Sequence, residues 1–181
     1  MSQFFRPFVY KVKGVSTSDK DILESLYRRY YAGALLYMSG LCGDLSLAED
    51  IVSEAFVKAF VSLPKDSPSF KFWLYRVCRN LWLDHLRRQK RHCSDEALEF
   101  IPAEEMPESL LLKDERRKAL WAAIGKLKPQ DRELIILHYF SSLSIMEAAK
   151  CLHISYSAAR KRICRLREIL RKELEEQGYG L

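Results

Sequence analysis

Apolar residues recur along most of this 181-residue chain with the three- and four-residue spacing of amphipathic helices. The spacing predicts a first helix over about residues 19–39, which Gly40 and Gly43 would end. A second helix is predicted to begin at a capping box formed by Ser46 and Glu49, because a serine and an acid three residues apart satisfy free amide groups of a first turn. The N-terminal part of the chain is therefore expected to be helical.

A third helix is predicted for Ser69–Arg91, which contains no glycine and no internal proline. One face is apolar, and the other faces combine aromatic, basic and amide side chains. Such a surface suits a nucleic acid, since rings stack on bases, guanidinium groups bind phosphates and an amide reads a base edge. Taken alone, the stretch fits an ordinary amphipathic helix with a solvated basic face equally well. The predicted buried stripe is Leu74, Val77, Cys78, Leu81 and His85, and the outward positions are Trp73, Tyr75, Arg76, Arg79, Asn80, Trp82, Arg87 and Arg88.

Helical periodicity weakens over residues 93–107, where two prolines and several acids predict a linker. It resumes with one helix marked by Leu120 and Leu127. The next helix is predicted to begin at Pro129, because proline lacks an amide hydrogen that the first turn would leave unpaired anyway. A second helical unit thus follows the linker.

The end of this unit, Ser144–Ile163, has the layout of a helix-turn-helix. A Ser144–Glu147 capping box opens a short helix, a three-residue turn follows, and Ser155 caps a longer helix. His153 stands at the turn position usually held by glycine; histidine tolerates positive φ better than most residues, so we expect the turn to persist. A generic helical hairpin with a solvated basic face is the alternative. The predicted outward residues of the second helix are Tyr156, Ser157, Arg160, Lys161 and Arg165, a candidate major-groove surface.

Composition supports helices over sheet, since 48% of residues are apolar but only seven are glycine and six proline. We therefore predict an all-α fold of two small helical domains joined by a flexible acidic linker, the C-terminal one containing the helix-turn-helix.

Residues 71–92 carry seven Lys or Arg against one Asp, residues 94–110 carry six acids and no base, and residues 150–172 carry eight Lys or Arg against one Glu. Two basic blocks around an acidic one suit an anionic polymer bound at two places.

The five cysteines contain no Cys-x-x-Cys pair, and the four histidines are scattered. We expect reduced, mostly buried thiols, no metal site and no cofactor. No apolar run approaches the length of a membrane span, so membrane insertion is not expected. Arg6 and Pro7 interrupt the first apolar stretch, unlike a signal peptide, which favours a cytoplasmic protein.

Two longer blocks resemble one known family. Ala48–Phe56 (AEDIVSEAF) followed by Ser69–Arg88 (SFKFWLYRVCRNLWLDHLRR) is similar to region 2 of bacterial RNA polymerase sigma factors of the sigma-70 family, in their small extracytoplasmic-function (ECF) class. Leu127–Arg167, with the runs LKPQDRE and LSIMEAA, resembles region 4 of the same family. The blocks stand in the family's order, with the expected linker between them.

The resemblance implies an N-terminal extension (residues 1–18), a region 2-like domain (19–92), a linker (93–107) and a region 4-like domain (108–177). The first domain would bind core RNA polymerase and the −10 element, and the second would recognise the −35 element. The chain would direct promoter-specific initiation by reading −35 duplex and opening the −10 strands. It would not be an enzyme, because the catalytic site belongs to core polymerase.

The resemblance also implies roles for individual residues. Glu49, Asp50 and Glu54 match the acidic helix face that docks on the coiled coil of the polymerase β′ clamp; a solvated acidic surface is their other interpretation. The loop before the third helix and the outer face of that helix match the surface that captures an unstacked −10 base. For Trp73, packing against a neighbouring helix explains the ring about as well. The −10 candidates are Lys65, Ser69, Phe72, Trp73, Arg76, Arg79, Asn80, Arg87 and Arg88, the last two matching duplex-backbone contacts, and the −35 candidates are Tyr156, Ser157, Arg160, Lys161 and Arg165.

The implied partners are core RNA polymerase, through its β′ clamp coiled coil and β flap, promoter DNA, and an anti-sigma factor. Two other classes are compatible with the residues alone. One is a stand-alone helix-turn-helix regulator that binds an operator without polymerase, and the other is a protein that binds core without supporting transcription. The loop over residues 64–69 is shorter than in most family members and lacks their Phe-Arg-Gly run, so the captured −10 base is not identified.

Overall fold

The structure, a computed structural model, describes residues 17–62, 70–89 and 115–179. The secondary structure in these three ranges is entirely helical, which confirms the all-α fold with two helical domains. The predicted linker and nearly all of the N-terminal extension lie outside the described residues. The helices are α1 (Thr17–Cys42), α2 (Leu45–Ser62), α3 (Phe70–Gln89), α4 (Glu115–Gly125), α5 (Pro129–Ile135), α6 (Ile145–Leu152) and α7 (Tyr156–Glu176), with a π turn over Ile136–Phe140.

The first three helices pack together as the N-terminal domain. Helix α1 extends beyond its predicted bounds at both ends and stops where Gly43 adopts a φ of 65°. The predicted capping box at Ser46 and Glu49 is wrong. Helix α2 begins one residue earlier than Ser46, and the Asp44 carboxylate accepts the amide hydrogen of Leu47 at 3.0 Å, so Asp44 is the capping residue.

The second half of α1 is buried on nearly every side, since residues 34–40 are all buried. Helices α2 and α3 cover part of this surface, and the C-terminal domain covers the rest. Gly33 permits a close approach here, because a Cβ atom at that position would lie 2.7 Å from the Tyr75 hydroxyl oxygen on α3. A helical segment buried all round marks the centre of a larger core, and the second half of α1 has this position.

The remaining helices form the C-terminal domain. Pro129 lies in the first turn of α5, as predicted. Helix α5 continues into the π turn, where the amide of Ser141 donates to the carbonyl of Ile136 at 2.9 Å. Trp121 of α4 is fully buried and meets Phe140 edge-on, with ring centroids 5.7 Å apart. The π turn therefore packs against the aromatic centre of this domain.

The helix-turn-helix forms as predicted. The Ser144 hydroxyl accepts the Glu147 amide hydrogen at 3.2 Å, and the Ser144 amide donates back to the Glu147 carboxylate at 2.8 Å, which completes the capping box of α6. His153 ends α6 in the left-handed region at φ 55° and ψ 40°. Ser155 caps α7 by accepting the Ala158 amide hydrogen at 3.2 Å.

Replacing Ser144 by Ala should destabilise the protein by about 1 kcal/mol, since a serine N-cap is worth roughly 0.5–2 kcal/mol. The loss is measured as a lower free energy of unfolding in urea. Ser25→Ala is the matched control, because Ser25 is exposed inside α1 and alanine has the higher helix propensity. Equal stability of the two variants would contradict the capping role of Ser144.

The two domains pack directly against one another. Helix α1 contacts α5 and the π turn, and α3 contacts α6. A single cluster of buried apolar residues runs through both domains, from Tyr27 in α1 to Leu170 in α7. We call this packing of α1 and α3 on the C-terminal domain the closed arrangement.

Candidate nucleic-acid interface

The predicted acidic face lies on the open side of α2. Glu49, Asp50 and Glu54 are exposed, whereas Ile51 and Val52 beside them are buried. The acidic face is therefore solvated and supported from behind by the packed side of its helix.

Among the described residues, the contacts that the structure gives the carboxylates of this face are weak. Glu54 pairs with Lys58 one turn on at 3.3 Å, with both side chains at least half exposed, which stabilises a helix by only about 0.3–0.5 kcal/mol. Glu49 lies near Tyr31. The pKa of Tyr31 is raised above its usual range, mainly by burial and to a smaller extent by the charges of Tyr27 and Glu49. The acidic face thus presents negative charge that a basic partner can bind without disrupting the fold.

Helix α3 carries most of the predicted −10 residues. Arg76, Asn80 and Arg88 are exposed, and Phe72 and Trp73 are half-buried. Trp73 is stacked near Phe70, with ring centroids 6.3 Å apart and an interplanar angle of 28°. The ring of Trp73 is therefore partly used in packing but keeps an accessible portion. Arg87 is also exposed and pairs with Asp84 at 2.8 Å.

Two aromatic residues predicted to face outward from α3 are buried instead. Tyr75 is 2% exposed, and its ring meets the Tyr37 ring edge-on, with centroids 5.4 Å apart. Burial raises the pKa of Tyr75 to about 12. Trp82 is 6% exposed and stacks on His85 at 5.7 Å. The prediction that Tyr75 and Trp82 face outward was wrong, because neighbouring helices cover α3 on more than one side.

The predicted buried stripe itself is only partly confirmed. Leu74 and Cys78 are completely buried, whereas Val77, Leu81 and His85 are half-buried. The core side of α3 is therefore rotated toward Tyr75 and Trp82.

Arg79 does not lie on the open surface of α3, where it was predicted. Its side chain is only 16% exposed, and its Nε atom donates to Glu133 of α5 at 2.8 Å. Lys71, one helical turn before Tyr75, donates to the backbone carbonyl of Ser142. The closed arrangement thus uses part of the basic surface of α3 as a contact between domains.

The C-terminal candidate surface is open. Tyr156, Ser157, Arg160 and Lys161 are exposed along the first turns of α7, and the Tyr156 side chain is 48% exposed. Arg165 is also largely exposed but donates to Asp131 at 3.0 Å, so one of its nitrogens already has a carboxylate partner. Four of the five predicted −35 residues can therefore meet DNA without breaking an ion pair given by the structure.

Two predicted −10 residues, Lys65 and Ser69, lie outside the described residues. Of the remaining −10 candidates, four lie along the first half of α3: Phe72, Trp73, Arg76 and Asn80. It places the acidic face on the neighbouring helix of the same domain and the −35 candidates on the other domain.

Sequence reasoning did not single out Glu133. This residue is 8% exposed and accepts hydrogen bonds from the Tyr37 hydroxyl group at 2.7 Å and from Arg79 at 2.8 Å. A local signal existed, because Glu133 shares a helical face with the apolar residues Ile136 and Leu137 three and four positions later. A carboxylate on an apolar face requires a buried partner, although sequence spacing does not identify that partner.

The described cysteines are free, and three of them are buried. Burial raises the pKa of Cys42 and of Cys151 to about 12 and raises that of Cys78 above its usual range, so these thiols stay protonated and unreactive at neutral pH. Cys164 departs from the prediction, because it is exposed on α7.

Among the described residues, no three His, Cys, Asp or Glu side chains cluster as a metal site would require. No helix among them is long and apolar enough to cross a bilayer.

Comparison with known families identifies both domains. The model of Sigma-70 region 2 matches residues 26–92, and the model of Sigma-70, region 4 matches residues 117–170. Together the two matches cover more than half of the chain. Each match includes the helices that carry one of the candidate surfaces.

Individual proteins show the same similarity. The ECF RNA polymerase sigma factor SigW of Bacillus subtilis is 29% identical over 179 residues, which cover 92% of this chain and 96% of the relative. The ECF RNA polymerase sigma factor SigE of Mycolicibacterium smegmatis is 34% identical over 143 residues, covering 76% of this chain and 56% of that one. The solved structure of the sigma factor RpoE in complex with the anti-sigma factor NepR, from Bartonella quintana, superposes with a TM-score of 0.63 at 25% identity, covering 86% of this chain and 98% of that one.

Proposed function

The chain belongs to the ECF class of the sigma-70 family and is therefore an RNA polymerase sigma factor, and we propose that its surfaces divide core binding and promoter recognition between its two domains. It binds core RNA polymerase and directs promoter-specific initiation. The observation that carries this function is the presence of regions 2 and 4 in order on one chain. A stand-alone operator-binding regulator would have no need of region 2.

The acidic face is proposed to dock on the coiled coil of the β′ clamp. Glu49, Asp50 and Glu54 stand at the positions that match the docking surface of the family, and all three are exposed. The C-terminal domain is proposed to bind the β flap. Polymerization is proposed to take place entirely at the active site of core polymerase, with no catalytic group supplied by this chain.

Helix α3 is proposed to hold the opened −10 strand. Trp73 and Phe72 supply partly accessible rings, and each stacked base is worth roughly 1–3 kcal/mol, which offsets the few kcal/mol spent in unstacking it. Arg76 and Asn80 supply hydrogen bonds, and Arg87 and Arg88 contact the adjoining duplex backbone. Lys65 and Ser69 are proposed to complete the pocket.

Helix α7 is proposed to read the −35 element in the major groove. Arg160 would pair with a guanine edge, while Tyr156, Ser157, Lys161 and Arg165 contact neighbouring bases and phosphates. For Arg165 this contact replaces its ion pair with Asp131. The proposed domain bounds are residues 19–92 and 108–177, joined by the acidic linker over residues 93–107.

Two further proposals concern the setting of the protein. Because the structure of RpoE contains an anti-sigma factor, we propose that an anti-sigma factor also regulates this chain. Since core polymerase is the partner, we propose that the protein acts in the cytoplasm.

Run-off transcription with core polymerase and a promoter library tests the function directly. The chain should start transcripts from a subset of templates that core alone does not use. Co-migration with core on gel filtration is the parallel binding measurement. Binding to core with initiation at no template would leave only a core-sequestering role.

Substitutions on the two DNA surfaces should have different signatures. Arg160→Ala should lower the preference for the cognate −35 sequence by about 1–3 kcal/mol, because it removes a base contact. Arg87→Ala should weaken binding to all sequences and reduce the slope of log affinity against log salt by about 1, because it removes a phosphate contact. Fluorescence anisotropy of holoenzyme on labelled promoters measures both effects, and the same profile for both variants would refute the division of roles.

A further inference from the structure

One ion pair lies at the edge of the candidate −35 surface. The Nη2 atom of Arg165 on α7 donates to the Asp131 carboxylate on α5 at 3.0 Å, although 34 positions separate the two residues. The Asp131 side chain is 12% exposed and the Arg165 side chain 61%. The carboxylate is thus held within the protein, while the guanidinium group extends from it into solvent.

The surroundings of Asp131 are strongly basic. An open depression between the start of α5 and the middle of α7 is lined by Asp131 together with Lys128, Arg162 and Arg165. Three cations therefore line the depression with one carboxylate, which leaves an excess of positive charge. If Arg165 turns away, Lys128 and Arg162 still line the depression, so the carboxylate is not left in a neutral environment. Exchange of Arg165 between Asp131 and another anion is therefore feasible.

The position of Asp131 in its helix has a separate effect. Asp131 is the third residue of α5, where negative charge favours the start of a helix. That effect requires a carboxylate but no arginine from α7. The contact with Arg165 can therefore be tested apart from the helix start.

A DNA phosphate at Arg165 would have Asp131 as a competitor. Both groups are anions that accept charge-assisted hydrogen bonds from a guanidinium group. A phosphate that displaces the carboxylate must first break the ion pair. A phosphate that binds beside the carboxylate is repelled by it, since like charges a few ångströms apart raise the free energy. Asp131 opposes a phosphate contact of Arg165 in either case.

The other −35 candidates on α7 differ from Arg165 in this respect. All are exposed, and among the described residues the structure gives none of them an ion pair: Tyr156, Ser157, Arg160 and Lys161. A neutral residue in place of Asp131 should therefore change the DNA surface of α7 at Arg165 and leave its other positions as they are.

We propose that Asp131 attenuates −35 binding: it neutralises Arg165 in the free protein and opposes the contact of that arginine with a DNA phosphate. The proposal rests on the proposed assignment of α7 to the −35 element. It places control over the strength of −35 binding at a buried residue of α5 that does not itself contact DNA. A neutral residue at position 131 then gives tighter binding through Arg165.

The test combines Asp131→Asn and Arg165→Gln in the full chain, singly and together. Asparagine keeps the shape of the side chain but removes the charge that holds Arg165. Asp131→Ser is a second neutral variant, in case asparagine disturbs the start of α5. Glu176→Gln is the matched control, because it removes one negative charge at the exposed end of α7. Circular dichroism verifies the helical content of each variant.

Fluorescence anisotropy measures binding of the free variants to a labelled random duplex. Asp131→Asn should bind about fivefold more tightly than wild type, because one further phosphate contact changes affinity by about that factor at physiological salt. Glu176→Gln should gain less than about twofold, since its site is far along α7 and salt screens the charge. In the presence of Arg165→Gln, the Asp131 substitution should gain no more than this control. Holoenzyme on a promoter recovered in the run-off assay should show the same order of affinities.

Three results would overturn the proposal. A gain for Asp131→Asn that persists together with Arg165→Gln would show that Asp131 acts through overall charge. No gain beyond that of Glu176→Gln would show that Asp131 does not compete with DNA. Weaker binding of Asp131→Asn would show that Asp131 orients Arg165 toward DNA. The random-duplex comparison requires no transcription, so it still decides the role of Asp131 if the wild-type chain starts no transcript and the proposed function fails.

Discussion

Replacing Asp50 by Arg is expected to weaken binding to core RNA polymerase by about 30-fold or more. Asp50 is exposed on α2 in the middle of the acidic face, so the change places a positive charge against a basic partner surface. Loss of a charge pair and creation of a like-charge contact cost about 2 kcal/mol or more, which corresponds to that factor. Affinity is measured with labelled protein titrated with purified core.

Asp21→Arg is the control for this prediction. Asp21 is exposed near the start of α1 and outside the acidic face, and the substitution changes net charge by the same amount. Its affinity for core should stay close to that of wild type. Equal losses in the two variants would show that core responds to overall charge, and the acidic face would then lose its assignment.

Replacing Trp121 by Ala should destabilise the C-terminal domain by about 3–5 kcal/mol. The Trp121 side chain is the largest of those that are completely buried, and its ring meets Phe140 edge-on at 5.7 Å. Removing it takes away the transfer free energy of the indole and leaves a cavity that the helices refill only in part. Urea denaturation followed by circular dichroism measures the change in the free energy of unfolding.

Tyr139→Ala provides the comparison, because the Tyr139 side chain is 49% exposed in the same π turn. Its loss should be below about 1 kcal/mol, as expected for a partly solvated ring. A similar cost for both substitutions would mean that Trp121 does not anchor the packing of α4 on the π turn. The Trp121 variant should also bind −35 duplex more weakly in holoenzyme, since α7 packs on α4.

Local features of the C-terminal domain were predictable because each depends on residues close in sequence. Pro129 at the first turn of α5, the Ser144–Glu147 capping box and the left-handed His153 were all expected and are all present. Capping and turn formation act within a few residues, so spacing alone is sufficient. The exposed positions along the start of α7 followed from the same periodicity.

The start of α2 shows where even local reasoning fails. Both Asp44 and Ser46 are good capping residues, and Ser46 has an acid three positions later. The structure uses Asp44, which follows directly on Gly43 with its positive φ. The position of the turn, set by the packing of α1 against α2, decided between two adequate caps.

The burial of Tyr75 and Trp82 was not predictable from periodicity. A one-stripe pattern assumes a helix with a single covered face, which holds for many surface helices. Helix α3 is covered by α1 and α2 and, in the closed arrangement, by α6 of the other domain. Because tyrosine and tryptophan occur both in cores and on DNA-binding surfaces, their identity did not distinguish the two environments.

The partner of Arg79 was hidden for a similar reason. Arg79 and Glu133 are separated by 54 positions, and no local pattern relates them. Arg79 was correctly included on a basic helix, but its immediate environment depends on the docking of a second domain. Candidate residues that lie between domains can therefore differ in availability from their neighbours on the same helix.

The distance along the chain between Arg79 and Glu133 also has a consequence during synthesis. At about 5–20 residues per second, the ribosome needs about 3–11 s to make the 54 residues that separate them. The three helices of the N-terminal domain are therefore made several seconds before Glu133 becomes available to Arg79. The ion pair between the domains is thus a late event in synthesis, formed after the N-terminal helices already exist.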